Sequence, residues 1–266
     1  MSSAAERWAD QLAGWAIPPE ILAAAPESPW AFSPSLFRAP DPDDGDDSPS
    51  LRRALEALDE GGTLLDVGAG AGAAGLPVAV AGRAARITAV DQSADMLAAL
   101  ASRADQLGVR HVEVVGRWPD VASAVPAADV VVCHHVFYNV SDLVPFALAL
   151  TDHARRRVVV ELTATHPRTS QTALWRRFHN LSRPAGPSAD DARAVLTEAG
   201  LEVSAEAFLA PPRPARNRAE WVALVRRHLC LCPEKDPEID DLLPDDAELG
   251  PRQVVALWWP GARAAL

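Results

Sequence analysis

Five short apolar runs, separated by segments with helical patterns, constrain the fold of this 266-residue chain more than any other feature. The runs are TLLDV at 63–67, RITAV at 86–90, HVEVV at 111–115, DVVVC at 129–133 and RVVVEL at 157–162. Short strands without polar alternation are typical of a parallel sheet that is buried on both faces. The intervening segments at 73–81, 93–107 and 141–153 are predicted to be crossover helices, with Ser93 and Ser141 as N-caps.

Two further apolar runs extend this pattern toward the C-terminus. LEVSAEAF at 201–208 and QVVALWW at 253–259 are predicted strands, and helices are predicted over 172–181, 188–199 and 219–229. The last two strands are expected to pair like a hairpin around a long insertion. The prediction for the whole chain is an α/β fold with a doubly wound, Rossmann-like sheet of seven mostly parallel strands and helices on both faces.

The first 60 residues precede the first predicted strand and follow a different pattern. Trp8 and Trp15 recur at helical spacing, which predicts a helical segment, and a Pro-rich stretch follows. PDPDDGDDSPS at 40–50 is acidic and rich in turn formers, so we interpret it as a surface connector, with a lid hinge as the alternative. The sequence therefore predicts an N-terminal helical cap with an acidic loop at 1–60 and a main domain at 61–266.

Charge and cysteine usage limit the possible partners and location. The 36 acidic and 25 basic residues give a formal net charge of -11, which repels a polyphosphate backbone, so nucleic acid is disfavoured as a partner. Three cysteines without metal-ligand spacing are expected to be reduced, structural thiols, and no metal is expected. The N-terminus is charged early, and no apolar window reaches the length of a membrane helix. We therefore predict a cytoplasmic protein without a membrane partner.

The stretch LLDVGAGAG at 64–72 carries the clearest functional signal in the chain. An apolar strand leads into a glycine-rich turn and then into a helix, and glycine lets the backbone approach a ligand closely. Asp66, at the end of the strand, suits a cationic group such as the amino group of a bound amino acid. The sequence therefore predicts a ligand site at the carboxyl end of this strand.

The same turn also fits a rival interpretation, a dinucleotide site. Gly70, Gly72 and Gly75 have the spacing GxGxxG, and Asp91 follows about 20 residues later. Three features favour the cationic ligand. Asp66 would repel a diphosphate, the glycine series begins closer to the strand than the dinucleotide pattern requires, and a long N-terminal segment precedes the strand.

LLDVGAGAG, followed by AVDQSADML at 89–97, resembles the first two motifs of class I S-adenosylmethionine-dependent methyltransferases. The motifs cover about residues 60–165, and the order of strands and helices extends the resemblance to the C-terminus. The resemblance implies a methyltransferase whose cofactor is S-adenosylmethionine and whose main domain binds that cofactor.

The resemblance also implies roles for single residues around the cofactor. Its methionine part would lie against Asp66, Gly68, Ala69, Gly70 and Gly72, with both ribose hydroxyls on Asp91, the adenine beside Gln92 and the sulfur near His134. In many class members an acidic residue after the third strand contacts the adenine, but here the turn reads Gly116-Arg117-Trp118-Pro119. Either Trp118 covers the adenine and the Arg117 backbone supplies the hydrogen bonds, or Trp118 is a packed residue at the strand exit.

Polar and aromatic residues that follow the fourth and fifth strands are candidates for the acceptor site, because such folds bind ligands beyond the carboxyl ends of their strands. His135, Tyr138 and Asn139 are expected to face the acceptor, Trp175 to line its pocket, and Trp30 and Phe32 to close it. If the acceptor must lose a proton, the candidate bases are His135, His166 and His179. The alternative is that the aromatic residues are core and the histidines structural.

The predicted reaction is direct in-line transfer of a methyl group to a small-molecule acceptor, which needs accurate positioning and does not always need a base. An NAD-dependent oxidoreductase and a non-catalytic cofactor-binding protein are the alternatives. RNA methylation is a weaker one, because HHVFYN after the fourth strand contains neither an NPPY-like tetrapeptide nor a cysteine nucleophile motif. The acceptor atom and the oligomeric state stay open.

Overall fold

A seven-stranded sheet forms the centre of the computed structural model, which describes residues 2–30, 47–210, 218–244 and 252–262. The strands are β1 (Thr63–Val67), β2 (Arg86–Asp91), β3 (His111–Val115), β4 (Ala128–His134), β5 (Ala154–Thr163), β6 (Ser204–Ala210) and β7 (Arg252–Pro260). Their order is β3-β2-β1-β4-β5-β7-β6. β7 is antiparallel to both of its neighbours, and the other pairs are parallel. The predicted doubly wound, mostly parallel sheet is confirmed.

Helices connect the strands and cover both faces of the sheet. They are α1 (Ala4–Ala13), α2 (Pro19–Ala24), α3 (Pro49–Leu55), α4 (Gly75–Ala81), α5 (Ala94–Leu107), α6 (Leu143–His153), α7 (Thr172–His179), α8 (Ala189–Glu198), α9 (Arg218–His228) and α10 (Asp236–Leu242). Val131 and Cys133 of β4 belong to one apolar cluster, whereas Val130 and Val132 belong to another. Because side chains alternate along a strand, β4 is buried from both sides, as its continuous apolar run predicts.

Serine side chains cap the starts of four helices, α1, α3, α5 and α8. The Ser93 hydroxyl accepts a hydrogen bond from Met96 N at 3.3 Å, and Ser188 forms a capping box with Asp191 at the start of α8. The prediction of Ser141 as an N-cap is wrong. α6 begins at Leu143, which is buried, so Asp142 takes the cap position and Ser141 lies outside the helix.

The N-terminal segment packs directly on the α/β domain. α1 lies against α8, and the fully buried Trp8 donates from Nε1 to Val140 O at 2.8 Å. α3 packs against β5 and β7. Most of the predicted acidic connector at 40–50, and Phe32, lie outside the described residues.

A separate apolar cluster lies beyond β5 and is formed by helices. Leu174 and Trp175 of α7 pack there with Trp221 of α9 and Ile239 of α10. Within the described ranges, no helix is long and apolar enough to cross a membrane.

Candidate active site

The glycine turn after β1 is held in a backbone conformation that favours glycine. Gly68, Gly70 and Gly72 have φ values of 70°, 52° and 90°. Gly68 N and Ala69 N both donate to Val90 O, at 2.8 and 3.1 Å, so the turn folds over the end of β2. A Cβ atom on Gly68 would lie 2.3 Å from Val136 Cγ2. At Gly68, the turn therefore lies so close to the loop after β4 that a side chain would not fit.

Asp91 ties this turn to the start of α5. Its Oδ2 accepts from Gly70 N and its Oδ1 accepts from Ser93 N, both at 2.9 Å. A carboxylate offers about four acceptor positions. Each Asp91 oxygen therefore keeps one position for a further donor, which matches the two hydroxyls of a ribose.

Asp66 is fully buried behind the turn. Its Oδ2 accepts from Gly75 N at 2.9 Å, whereas its Oδ1 has no hydrogen-bond partner within the described part of the chain. Burial, and to a lesser extent the charge of Asp91, raises the pKa of Asp66 to about 7. A carboxylate oxygen without a hydrogen-bond partner, next to the glycine turn, is suited to accept a hydrogen bond from the cationic amino group of S-adenosylmethionine.

A chain of three polar side chains crosses the carboxyl ends of β4 and β5. His135 Nε2 lies 3.2 Å from Glu161 Oε1, and the Ser50 hydroxyl donates to Glu161 Oε2. Ser50 is buried and comes from α3. His135 has a left-handed backbone, with φ of 58°, and its N–H donates to Glu161 O at 2.7 Å. Backbone and side chain of His135 are therefore both fixed by Glu161.

Glu161 is ionised in this arrangement. Burial acts to raise its pKa, but the hydrogen bond from His135, the charges of His134 and His135 and the Ser50 hydroxyl together lower that pKa to about 2. The sequence analysis missed Glu161 and Ser50. A charged residue at the end of the buried run RVVVEL was a signal for Glu161, whereas Ser50 lies in a segment read as a connector.

His166 and Tyr138 form a packed wall beside this chain of side chains. The His166 ring stacks on Trp15 with 4.1 Å between ring centroids and meets the Tyr138 ring edge-on at 5.6 Å. Burial, together with the charge of Arg168, lowers the pKa of His166 to about 4. The Tyr138 hydroxyl lies 2.6 Å from Thr163 Oγ1, and burial raises its pKa. Both side chains are therefore neutral at physiological pH.

The other predicted site residues are placed as follows. Trp175 is buried in the helical cluster, and His179 Nε2 lies 2.6 Å from Leu229 O. Trp118 is buried, with its ring edge-on to His153 at 4.8 Å between centroids. Exposed residues are Gln92, Arg117, Asn139 and Trp30, whereas His134 is half-buried at the end of β4. The three cysteines are free thiols.

Comparison with protein families identifies the central part of the chain. Residues 65–160 match the family described as "Methyltransferase domain". The match runs from β1 to β5 and includes the glycine turn, Asp91 and His135. No curated protein is significantly similar to the chain in sequence.

Solved structures support the fold. The YcgJ protein from Bacillus subtilis is 15% identical, with 80% of this chain and 97% of that chain covered and a TM-score of 0.52. A putative sarcosine dimethylglycine methyltransferase from Galdieria sulphuraria is 14% identical over 80% and 83% of the two chains, with a TM-score of 0.54. A protein from a study of disulfide-to-thioacetal conversion in echinomycin biosynthesis is 20% identical over 88% and 89%, with a TM-score of 0.53.

The family match, the strand order and the two motifs agree with one another. The chain therefore contains a methyltransferase domain over residues 65–160, and its strand order is consistent with that of class I S-adenosylmethionine-dependent methyltransferases.

Proposed function

We propose that this enzyme methylates a small-molecule acceptor by direct in-line transfer and that His135 is its general base. The observation that carries the proposal is the hydrogen-bonded chain from Ser50 through Glu161 to His135 at the carboxyl ends of β4 and β5. Ligands of doubly wound folds bind beyond this edge of the sheet. A histidine fixed there by a buried carboxylate is suited to accept a proton.

The cofactor site uses the residues around the glycine turn. Asp66, Gly68, Ala69, Gly70 and Gly72 would hold the methionine part, and Asp91 would accept from the ribose hydroxyls. Gln92, Arg117 and Trp118 would border the adenine, and His134 would lie near the sulfur. When bound, S-adenosylmethionine supplies a methyl group that is already activated by the positive charge on sulfur.

Glu161 fixes the orientation of the His135 ring in this proposal. Glu161 Oε1 lies beside Nε2, so Nδ1 is the ring nitrogen left to accept a proton from the acceptor. General base catalysis of this kind contributes roughly 10² to 10⁴ in rate. His166 is a weaker candidate because its pKa is about 4 and its ring is stacked on Trp15. His179 is occupied by Leu229 O in the helical cluster.

The acceptor pocket would combine the N-terminal segment with the loops after β4 and β5. We propose that residues 1–60 act as a cap, with Trp30, Tyr138, Asn139 and Trp175 as further walls of this region. A net charge of -11 favours a small acceptor over nucleic acid. An odd number of cysteines, all free thiols, fits a cytoplasmic location.

Calorimetry can test the proposal without knowledge of the acceptor. S-adenosylhomocysteine is expected to bind at a single saturable site, whereas NAD at the same concentrations is expected to give no binding heat. A His135→Gln variant should keep the affinity for S-adenosylhomocysteine and lose methyl transfer to any acceptor found by screening. Unchanged transfer in this variant would remove His135 from the base role.

A further inference from the structure

The segment between Glu161 and Asp190 has an unusual charge pattern for an acidic protein. Residues 162–189 contain four arginines and two histidines but no aspartate or glutamate, in a chain with a net charge of -11. In the fold, this segment forms the loop after β5, α7 and the connection to α8. The segment therefore contributes positive charge to this region and no negative charge of its own.

This region contains a cavity of about 510 Å³ with a lining suited to an anion. Its polar lining residues are Thr169, Ser170, Thr172, Ser182, Arg176 and Arg183. Of these, the Thr169 hydroxyl already donates to His166 O. No carboxylate is among the described residues that line it. Hydroxyl and guanidinium groups donate the hydrogen bonds that an oxyanion accepts.

Several donors around the cavity have unused hydrogen-bonding capacity. Arg183 donates from Nη1 to Gly14 O and Ala16 O, but its Nε and Nη2 have no partner among the residues described. Thr172 Oγ1 likewise has no partner there. A bound anion would be the natural partner for such groups, because buried donors without acceptors are costly.

One arginine at the cavity, Arg176, also lacks a counter-charge in the part of the chain that the structure describes. Arg176 makes only a 3.5 Å contact with Ser182 Oγ and takes part in no ion pair in the described structure, whereas its neighbour Arg177 pairs with Glu238 at 2.9 Å. Burial lowers the pKa of both Arg168 and Arg183, and the effect of Cys230 opposes this shift.

From these observations we infer that the cavity between the loop after β5 and α7 binds an oxyanion, either a phosphate or a carboxylate group of a small molecule. Arg176 and Arg183 would supply the charge, and the surrounding hydroxyls would fix the orientation of the ligand. This site goes beyond the cofactor site and does not depend on the proposed base.

The test is an NMR titration of the ¹⁵N-labelled full chain with inorganic phosphate and, separately, with succinate. Sodium chloride keeps the ionic strength constant, so that simple screening cannot produce the response. Saturable shifts of amides at 169–173 are expected with at least one probe, and the tighter probe identifies the type of oxyanion. Shifts that stay linear or are absent with both probes would overturn the inference.

Three arginine variants distinguish a defined anion site from a general effect of positive charge. Arg176→Ala is expected to weaken binding about tenfold, because one charge-assisted contact is lost. The matched control Arg177→Ala removes the same charge from the adjacent position and is expected to leave the affinity unchanged. Arg193→Ala, on the exposed side of α8, is a second control. Equal losses in Arg176→Ala and in both controls would contradict a defined site.

Discussion

The two halves of the active-site edge are built in different ways. At the ends of β1 and β2, the candidate site consists mainly of backbone groups. Glycines with positive φ, their N–H groups and two aspartates that bind N–H groups all lie within residues 66–93. At the ends of β4 and β5, side chains make it, and Ser50 and Glu161 meet although 111 residues separate them. The proposed cofactor half is therefore local in sequence, whereas the proposed acceptor half depends on the tertiary fold.

The largest expected effect comes from adding a side chain to the glycine turn, in the half that backbone groups form. Gly68→Ala places a methyl group against Val136 and also imposes an L residue at φ of 70°. Left-handed strain and overpacking together should cost about 4 kcal/mol of unfolding free energy. Chemical denaturation measures this loss, and binding of S-adenosylhomocysteine should disappear.

Gly108→Ala is the matched control for this variant. Gly108 ends α5 at φ of 68°, but a Cβ atom there would have no neighbour within 4 Å. It should cost only the conformational strain, about 1 to 2 kcal/mol, and preserve cofactor binding. Equal losses in the two variants would show that the contact with Val136 is unimportant.

The second prediction concerns the ends of β4 and β5, where side chains form the candidate site. The pKa of Glu161 is about 2 in the folded protein, compared with an ordinary value of 4.5, so ionised Glu161 stabilises the fold above about pH 4.5. That contribution, about 3 kcal/mol, is lost as the pH falls toward 2. Glu161→Gln should lower stability at pH 7 and flatten the acid side of the stability profile.

The control for this variant is Glu60→Gln, which changes an exposed glutamate and should leave the profile unchanged. Affinity for S-adenosylhomocysteine should be similar in Glu161→Gln and in the wild type. A large loss of cofactor affinity in Glu161→Gln would contradict the separation of the two halves.

The third prediction returns to the cofactor half. Asp91→Ala removes the proposed acceptor of two ribose hydroxyls and the contacts with Gly70 N and Ser93 N. Calorimetry should show an affinity for S-adenosylhomocysteine lowered about a hundredfold. Asp95→Ala, four residues later on the exposed face of α5, should bind like the wild type.

The smallest expected effect is a pH dependence of cofactor binding. Asp66 has a pKa raised to about 7, so it ionises mainly between pH 6 and 8, and its charge would attract the ligand ammonium group. Affinity for S-adenosylhomocysteine should therefore rise about tenfold over this range. Asp66→Asn should bind with little pH dependence. A wild-type affinity that falls with pH would exclude the assigned contact.

The contrast between the halves also explains what the sequence could predict. The strands and the glycine turn follow from local patterns, since apolar runs and glycine spacing report directly on burial and backbone geometry. The contact of Ser50 with Glu161 was not predictable, because it depends on how α3 packs across β5. Ser141 failed as a cap because the burial of Leu143 sets the start of α6.

A crystal structure with bound S-adenosylhomocysteine tests the central claim most directly. We expect both ribose hydroxyls within hydrogen-bond distance of the Asp91 carboxylate, the amino group on the side of Asp66, and the thioether near His134. A ligand bound elsewhere on the sheet edge, with Asp91 bonded only to Gly70 N and Ser93 N, would contradict it.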